Sequence, residues 1–161
     1  MAIANAQGAV FPTVSGHNLN GRLVEIPRDL GGRVNLIFIA FTREQQREVN
    51  SWQPFVADLT GRHAGVRAYE LPTLGRSYAL IRGFLDGIMR SAIPDEGTRD
   101  ATVTLFIDKG PFDRALAITS ERAIAVFLVK PSGEILWGTS GAFDPANPPS
   151  LGAIIEREGG S

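Results

Sequence analysis

The chain of 161 residues contains no cysteine, and that absence removes thiol nucleophiles, disulfides, thiolate metal sites and iron–sulfur clusters. Histidine, tyrosine, tryptophan and methionine occur twice each. No apolar run approaches the roughly 18–20 residues needed to cross a bilayer; the longest, 34–41, is interrupted by Asn35. Charge of one sign is also missing, with 16 Lys and Arg against 17 Asp and Glu. A net charge of -1 gives no footprint for nucleic acid or another polyanion. What remains is globular: 43% hydrophobic and 20% charged residues, in a chain long enough to bury a core without a metal or disulfide staple. One domain over 1–161 is expected, with 1–8 and 159–161 as flexible ends. The start lacks the basic and apolar regions of a signal peptide, while Ala4-Asn5-Ala6 has the small-x-small form of a cleavage site. The compartment therefore stays open between cytoplasmic and, if a signal segment was removed before residue 1, extracytoplasmic.

Hydrophobic periodicity gives the elements. Asn20-Gly21 between 11–19 and the alternating 22–26 predicts a β-hairpin. The near-continuous apolar run 34–41 predicts a strand buried on both faces, hence central. From Thr42, a potential N-cap, Val49, Trp52, Phe55, Val56 and Leu59 follow helical spacing, with Pro54 expected to kink or interrupt the helix. A short strand over 66–71 is expected to stop at Pro72. A helical stripe from Tyr78 to Met89 is expected to end in Ile93-Pro94-Asp95-Glu96-Gly97. Strand 102–107, a short helix over 111–117, strand 124–129, a turn at 130–134 and strand 135–140 follow. A loop through 145–149 leads to a last helix over 150–158. Alternating β and α units closed by a hairpin predict one mixed sheet, with the helices starting near Arg43, Gly75 and Ser150 covering both faces.

This order resembles the thioredoxin-like superfamily in its longer, peroxiredoxin-like form, over about residues 8–158. The implied fold is an α/β three-layer sandwich, a mixed central sheet with an N-terminal β-hairpin and helices on both faces. In peroxiredoxins the first core strand runs into Phe-Thr-x-x-Cys-x-x-Glu; here it runs into Phe41-Thr42-Arg43-Glu44-Gln45-Gln46-Arg47-Glu48. Gln45 thus stands where the resemblance places the reactive thiol. The superfamily's cis-proline falls, by the same matching, on Ile124, whose preceding peptide is expected to be trans because a non-proline cis bond costs about 3 kcal/mol. A narrower likeness is to the mitochondrial assembly-factor family that helps build the membrane sector of ATP synthase. Ser51-Trp52-Gln53-Pro54-Phe55 resembles its Ser-Trp-x-x-Pro-Phe with one residue fewer, and Phe112-Asp113-Arg114-Ala115-Leu116-Ala117-Ile118 resembles its Phe-Arg-x-x-Leu-x-Ile. Its Gly-x-Ile-x-Trp-x-x-x-Gly is matched at Gly133, Ile135, Trp137 and Gly141.

The candidate site is the helix start after the central strand, where free N–H groups and the positive dipole end suit an anion. Arg43 and Arg47 would extend it and Glu44 and Glu48 oppose it; an ordinary solvated first turn explains the same charges. His17 and His63 lack metal-ligand spacing, and the acids Asp95, Glu96, Asp100, Asp108 and Asp113 lack that of a calcium loop. Gly138-Thr139-Ser140-Gly141-Ala142 is no nucleophile elbow, and Gly31-Gly32-Arg33 precedes a strand and so is no phosphate loop. No catalytic residue, metal or cofactor is expected. Two functional expectations follow. The first is a redox-inactive domain that binds a protein partner through Thr42, Arg43, Gln46, Arg47 and 93–100, in the manner of a chaperone-like assembly factor. The second is a thiol-independent enzyme or small-anion binder using Arg43, Gln45 and Arg47. A scaffold whose thiols were removed is a plainer third. Trp52 and Trp137 fit core positions by periodicity and carry the family likeness.

Overall fold

The computed structural model describes residues 9–75 and 95–158. Its sheet has seven strands, β1 (Val14–Asn18), β2 (Leu23–Ile26), β3 (Val34–Ala40), β4 (Val66–Gly75), β5 (Val103–Ile107), β6 (Ala125–Val129) and β7 (Ile135–Ser140). They lie in the order β2-β1-β5-β4-β3-β6-β7. β3, β4 and β5 run parallel, and β1, β2, β6 and β7 join antiparallel. All seven residues of β3 are buried. This is the central strand that the apolar run predicts, since side chains on both pleats meet a layer of core.

The helices are α1 (Gln46–Ser51), α2 (Gln53–Arg62), α3 (Glu96–Asp100), α4 (Lys109–Ala115) and α5 (Asn147–Arg157), and a 3-10 turn, Arg43–Gln45, precedes α1. On one face Leu36 and Phe38 pack with Trp52, Val56, Leu151 and Ile155 from α1, α2 and α5 or their junctions. On the other, Ile37 and Ile39 pack with Phe112 and Leu116 at α4 and with Phe11 ahead of the hairpin. Both faces are therefore covered. The helices starting near Arg43 and Asn147 share one face, however, and α4 with the Phe11 segment covers the other. The stripe 78–89 lies outside the described residues.

Several boundaries differ from expectation for definable reasons. Thr42 makes no side-chain cap. The helix after it is split at Trp52, with Pro54 placed in the first turn of α2, where a missing N–H costs nothing. β4 continues through Pro72 to Gly75 instead of stopping. Its ladder to β3 ends at the Ala40–Pro72 pair and its main ladder to β5 begins at Thr73, so the proline sits where one ladder hands over to the next. Pro148 and Pro149 belong to the first turn of α5, not to a preceding loop. The acids are not merely solvated: Asp95 accepts from the Thr98 N–H at 2.7 Å and Asp108 from the Gly110 N–H at 3.3 Å, starting α3 and α4. Asp100 accepts from the Asn20 amide at 2.6 Å and so ties the hairpin turn to α3.

The amino end of β3 holds one buried polar side chain, Asn35. Its Oδ1 accepts from the Gly32 N–H at 2.8 Å, and its Nδ2 donates to the Gly32 carbonyl at 3.1 Å and to Val129 O at 3.3 Å. A Cβ at Gly32 would lie 2.7 Å from both Asn35 Oδ1 and Val34 O, so this close approach needs glycine. Asn35→Leu keeps the size and leaves the Gly32 groups without their partner. A loss on the order of 2 kcal/mol is expected, read as a lower urea midpoint at unchanged slope.

Candidate functional site at the carboxyl end of the central strand

β3 ends in Ala40 and passes through Phe41 to the 3-10 turn. Gln45, in that turn, is buried. Its Oε1 accepts from the Phe41 N–H at 2.7 Å, and its Nε2 donates to the Glu121 carbonyl at 2.7 Å. One side-chain amide thus ties the end of the central strand to the loop that enters β6. The next turn adds a parallel tie, because Glu48 Oε1 accepts from the Ile124 N–H at 3.0 Å. Among the described residues the cis peptide is Ile26–Pro27, and the bond before Ile124 is trans.

Thr42, Arg43, Glu44, Gln46 and Arg47 are exposed around this buried amide. The surface is therefore a polar rim on a closed centre. The Phe41 N–H is taken by Gln45, and the Gln45 N–H reaches Thr42 O at 3.3 Å, so the donors that the helix start was expected to offer are partly used within the turn itself. Behind it, Lys109 Nζ sits 5.9 Å from the centre of the Phe41 ring and 2.7 Å from Glu121 Oε1. Asp113, from α4, completes the group. Burial first, and then a hydrogen bond and repulsion from Glu121, raise the Asp113 carboxyl to about 7. The hydrogen bond from Asp113 holds Glu121 below its ordinary range, with help from Lys109. The opposite shifts place the proton on Asp113 and the negative charge on Glu121, where Lys109 offsets it at 2.7 Å. The linear spacing of these acids gave no sign of it, because the loop between α4 and β6 makes the pair.

Of the family-motif residues, Ser51, Trp52, Pro54, Phe55, Trp137 and Gly141 meet elsewhere, on the face of α1 and α2. Trp52 is fully buried, with edge-to-face contacts to Phe38, Phe55, Trp137 and Phe143 at centroid distances of 5.5, 6.2, 6.4 and 5.3 Å. Its Nε1 donates to the Gly141 carbonyl at 3.1 Å, and Gly141 turns the chain at φ +91°. Ser51 Oγ accepts from the Phe143 N–H at 3.0 Å, Pro54 opens α2, and Gly133 accepts from the Phe11 N–H at 2.8 Å. Ser51, Trp52 and Phe55 thus join Trp137 and Gly141 in one packed cluster. His17 lies on β1 and His63 caps the end of α2. Among the described residues no three His, Asp or Glu side chains gather as a metal site.

No protein-family model matches the chain, and no curated protein matches it significantly. Solved structures do. BsSco, a member of the Sco family of cytochrome c oxidase assembly proteins, superposes with a TM-score of 0.62 at 12% identity, over 94% of each chain. A thiol:disulfide interchange protein from Bacteroides sp. gives 0.59 at 19% identity, over 97% of this chain and 91% of that one. The thioredoxin domain of a thiol-disulfide oxidoreductase from Bacteroides vulgatus gives 0.54 at 20% identity, over 96% and 98%. The fold is thioredoxin-like.

The Asp113–Glu121 pair makes stability depend on pH in a definite sense. Asp113 binds its proton more tightly folded than unfolded, so the folded state loses stability as pH rises from about 4 through about 7. Glu121, shifted down, acts only at more acid pH, as its proton is forced on. Asp113→Asn keeps a donor toward Glu121 without the titration. Urea midpoints at pH 5, 6, 7 and 8 should fall for the wild type relative to the variant; parallel curves would refute the shared proton.

Proposed function

We propose that this chain is a redox-inactive thioredoxin-like domain that works by binding another protein, as a chaperone-like assembly factor for a membrane complex. The observation that carries the reading is Gln45. At the place where the resemblance puts a reactive thiol stands an amide that cannot form a thiolate, and both its ends are engaged inside the fold. A site for exchange chemistry must admit its substrate to that position. Here the position is filled by a tie, and the rim of Thr42, Arg43, Glu44, Gln46 and Arg47 around it is exposed.

A rim of long polar side chains on a strand end held rigid from both sides suits recognition, since charges there set encounter and specificity. The motif likeness to an assembly-factor family and the shared fold of BsSco, itself of an assembly-protein family, support the assembly role by analogy only. The rival reading, a thiol-independent enzyme or anion site using Arg43, Gln45 and Arg47, is less supported, because Gln45 is buried with both its Oε1 and its Nε2 engaged inside the fold and two carboxyls lie nearby.

The test is a double charge reversal, Arg43→Glu with Arg47→Glu. Both side chains are exposed, so the melting temperature should hold, with a change within about 0.5 kcal/mol. Affinity capture of the native partner from extract should fall sharply. Undiminished capture by the folded variant would move the interface elsewhere, and insulin reduction or peroxide turnover above a buffer control would overturn the redox-inactive assignment.

A further inference from the structure

A cleft of about 240 Å³ lies on the α1–α2 face, between those helices and α3, with Phe38, Val49 and Val56 as apolar wall and Gln53, Thr98 and Glu70 as polar lining. Its charge is unusual for its position. Along β4 the period of two brings Val66, Ala68 and Glu70 to the same face, and Glu70 stands in register beside Phe38. A carboxyl thus occupies a place where the core would continue with an apolar side chain. Burial raises its proton affinity, an effect that the nearby Gln46 side chain offsets in part. Asp95 also lines the cleft, held ionised by donors from Thr98. Among the described residues no Lys, Arg or His lines it.

The geometry points to a binding site for a small primary ammonium compound, whose charged head meets Glu70 while a short aliphatic stem lies on Phe38, Val49 and Val56. A half-buried carboxylate with no basic side chain among the described residues of its lining is costly to keep ionised and gains from a cation that shares its partly desolvated site. An alkylammonium matches both linings, a compact point charge on an apolar stem. Size limits the stem: the volume is below the roughly 300–1,000 Å³ of sites for drug-sized ligands. This assignment does not rest on the protein-binding reading. The head could belong to a free amine or to a lysine side chain, and the chemistry is the same.

Nitrogen-15 labelled protein is titrated at neutral pH with n-butylammonium, with 1-butanol as the uncharged isostere, and with Nα-acetyl-lysine methylamide. Saturable shifts are expected at the amides of Phe38, Val49, Gln53 and Thr98 with butylammonium, with butanol weaker by at least about tenfold. Glu70→Gln should weaken butylammonium by a similar factor without lowering the melting temperature. Binding of the lysine derivative as well would identify a side chain as an acceptable source, and binding of butylammonium alone a free amine. The assignment is overturned if butylammonium gives no saturable shift at these amides, if butanol binds equally well, or if the folded glutamine variant binds as the wild type does. Should that variant not fold, the comparison with butanol in the wild type decides.

Discussion

A strand buried on both faces and hydrogen-bonded on both edges leaves the chain one difficulty, namely its ends. Where β3 begins and stops, backbone groups leave the ladder while still inside the protein, and each must find a partner. Two side-chain amides supply them. Asn35 closes the amino end on Gly32 and on β6, and Gln45 closes the carboxyl end on Phe41 and on the loop before β6. Both bring in β6, the antiparallel neighbour of β3. The central pair of strands is thereby pinned at both ends, and the helices on either face pack against a fixed sheet.

This constraint also accounts for the character of the candidate site. The carboxyl end of such a strand is where an α/β fold presents chemistry, and an amide there can act outward on a ligand or inward on the fold. Gln45 acts inward. Around it Glu48 and Ile124 make the second tie, and Lys109, Glu121 and Asp113 balance their charges among themselves beneath Phe41. The exposed groups, Arg43 and Arg47 above all, then stand on a base that does not need to move.

On the opposite side of β3 the same economy is met with aromatic rings. Trp52 sits at the break between α1 and α2, where the Pro54 turn allows the indole to reach inward, and its N–H finds the carbonyl of a glycine that turns the chain after β7. The tryptophan is thus packing and connection at once: it joins the first helix to the closing hairpin. The Ser51–Phe55 motif and the Trp137 and Gly141 end of the hairpin motif are, in space, one cluster, while Phe112 and Leu116 pack on the other face of the sheet.

The central strand, the two hairpins and the existence of most described helices were legible in the residues, because each rests on local periodicity: an unbroken apolar run, Asn-Gly between alternating segments, apolar residues at helical spacing. The absence of thiol chemistry was legible from composition alone. Boundaries that depend on neighbours were not: Pro72 reads as a strand end until the handover from the β3 to the β5 ladder is seen, and Pro148 reads as loop until it is seen in a first helical turn. The site divides in the same way. The sequence by itself determined that Gln45 follows the central strand and that Trp52 faces the core. Only the tertiary structure decided that the amide reaches Glu121, that Asp113 and Glu121 shift each other's titration, and that Glu70 lines a cleft beside Phe38, because each depends on how loops and neighbouring elements bring groups together, and no spacing along one segment records that meeting.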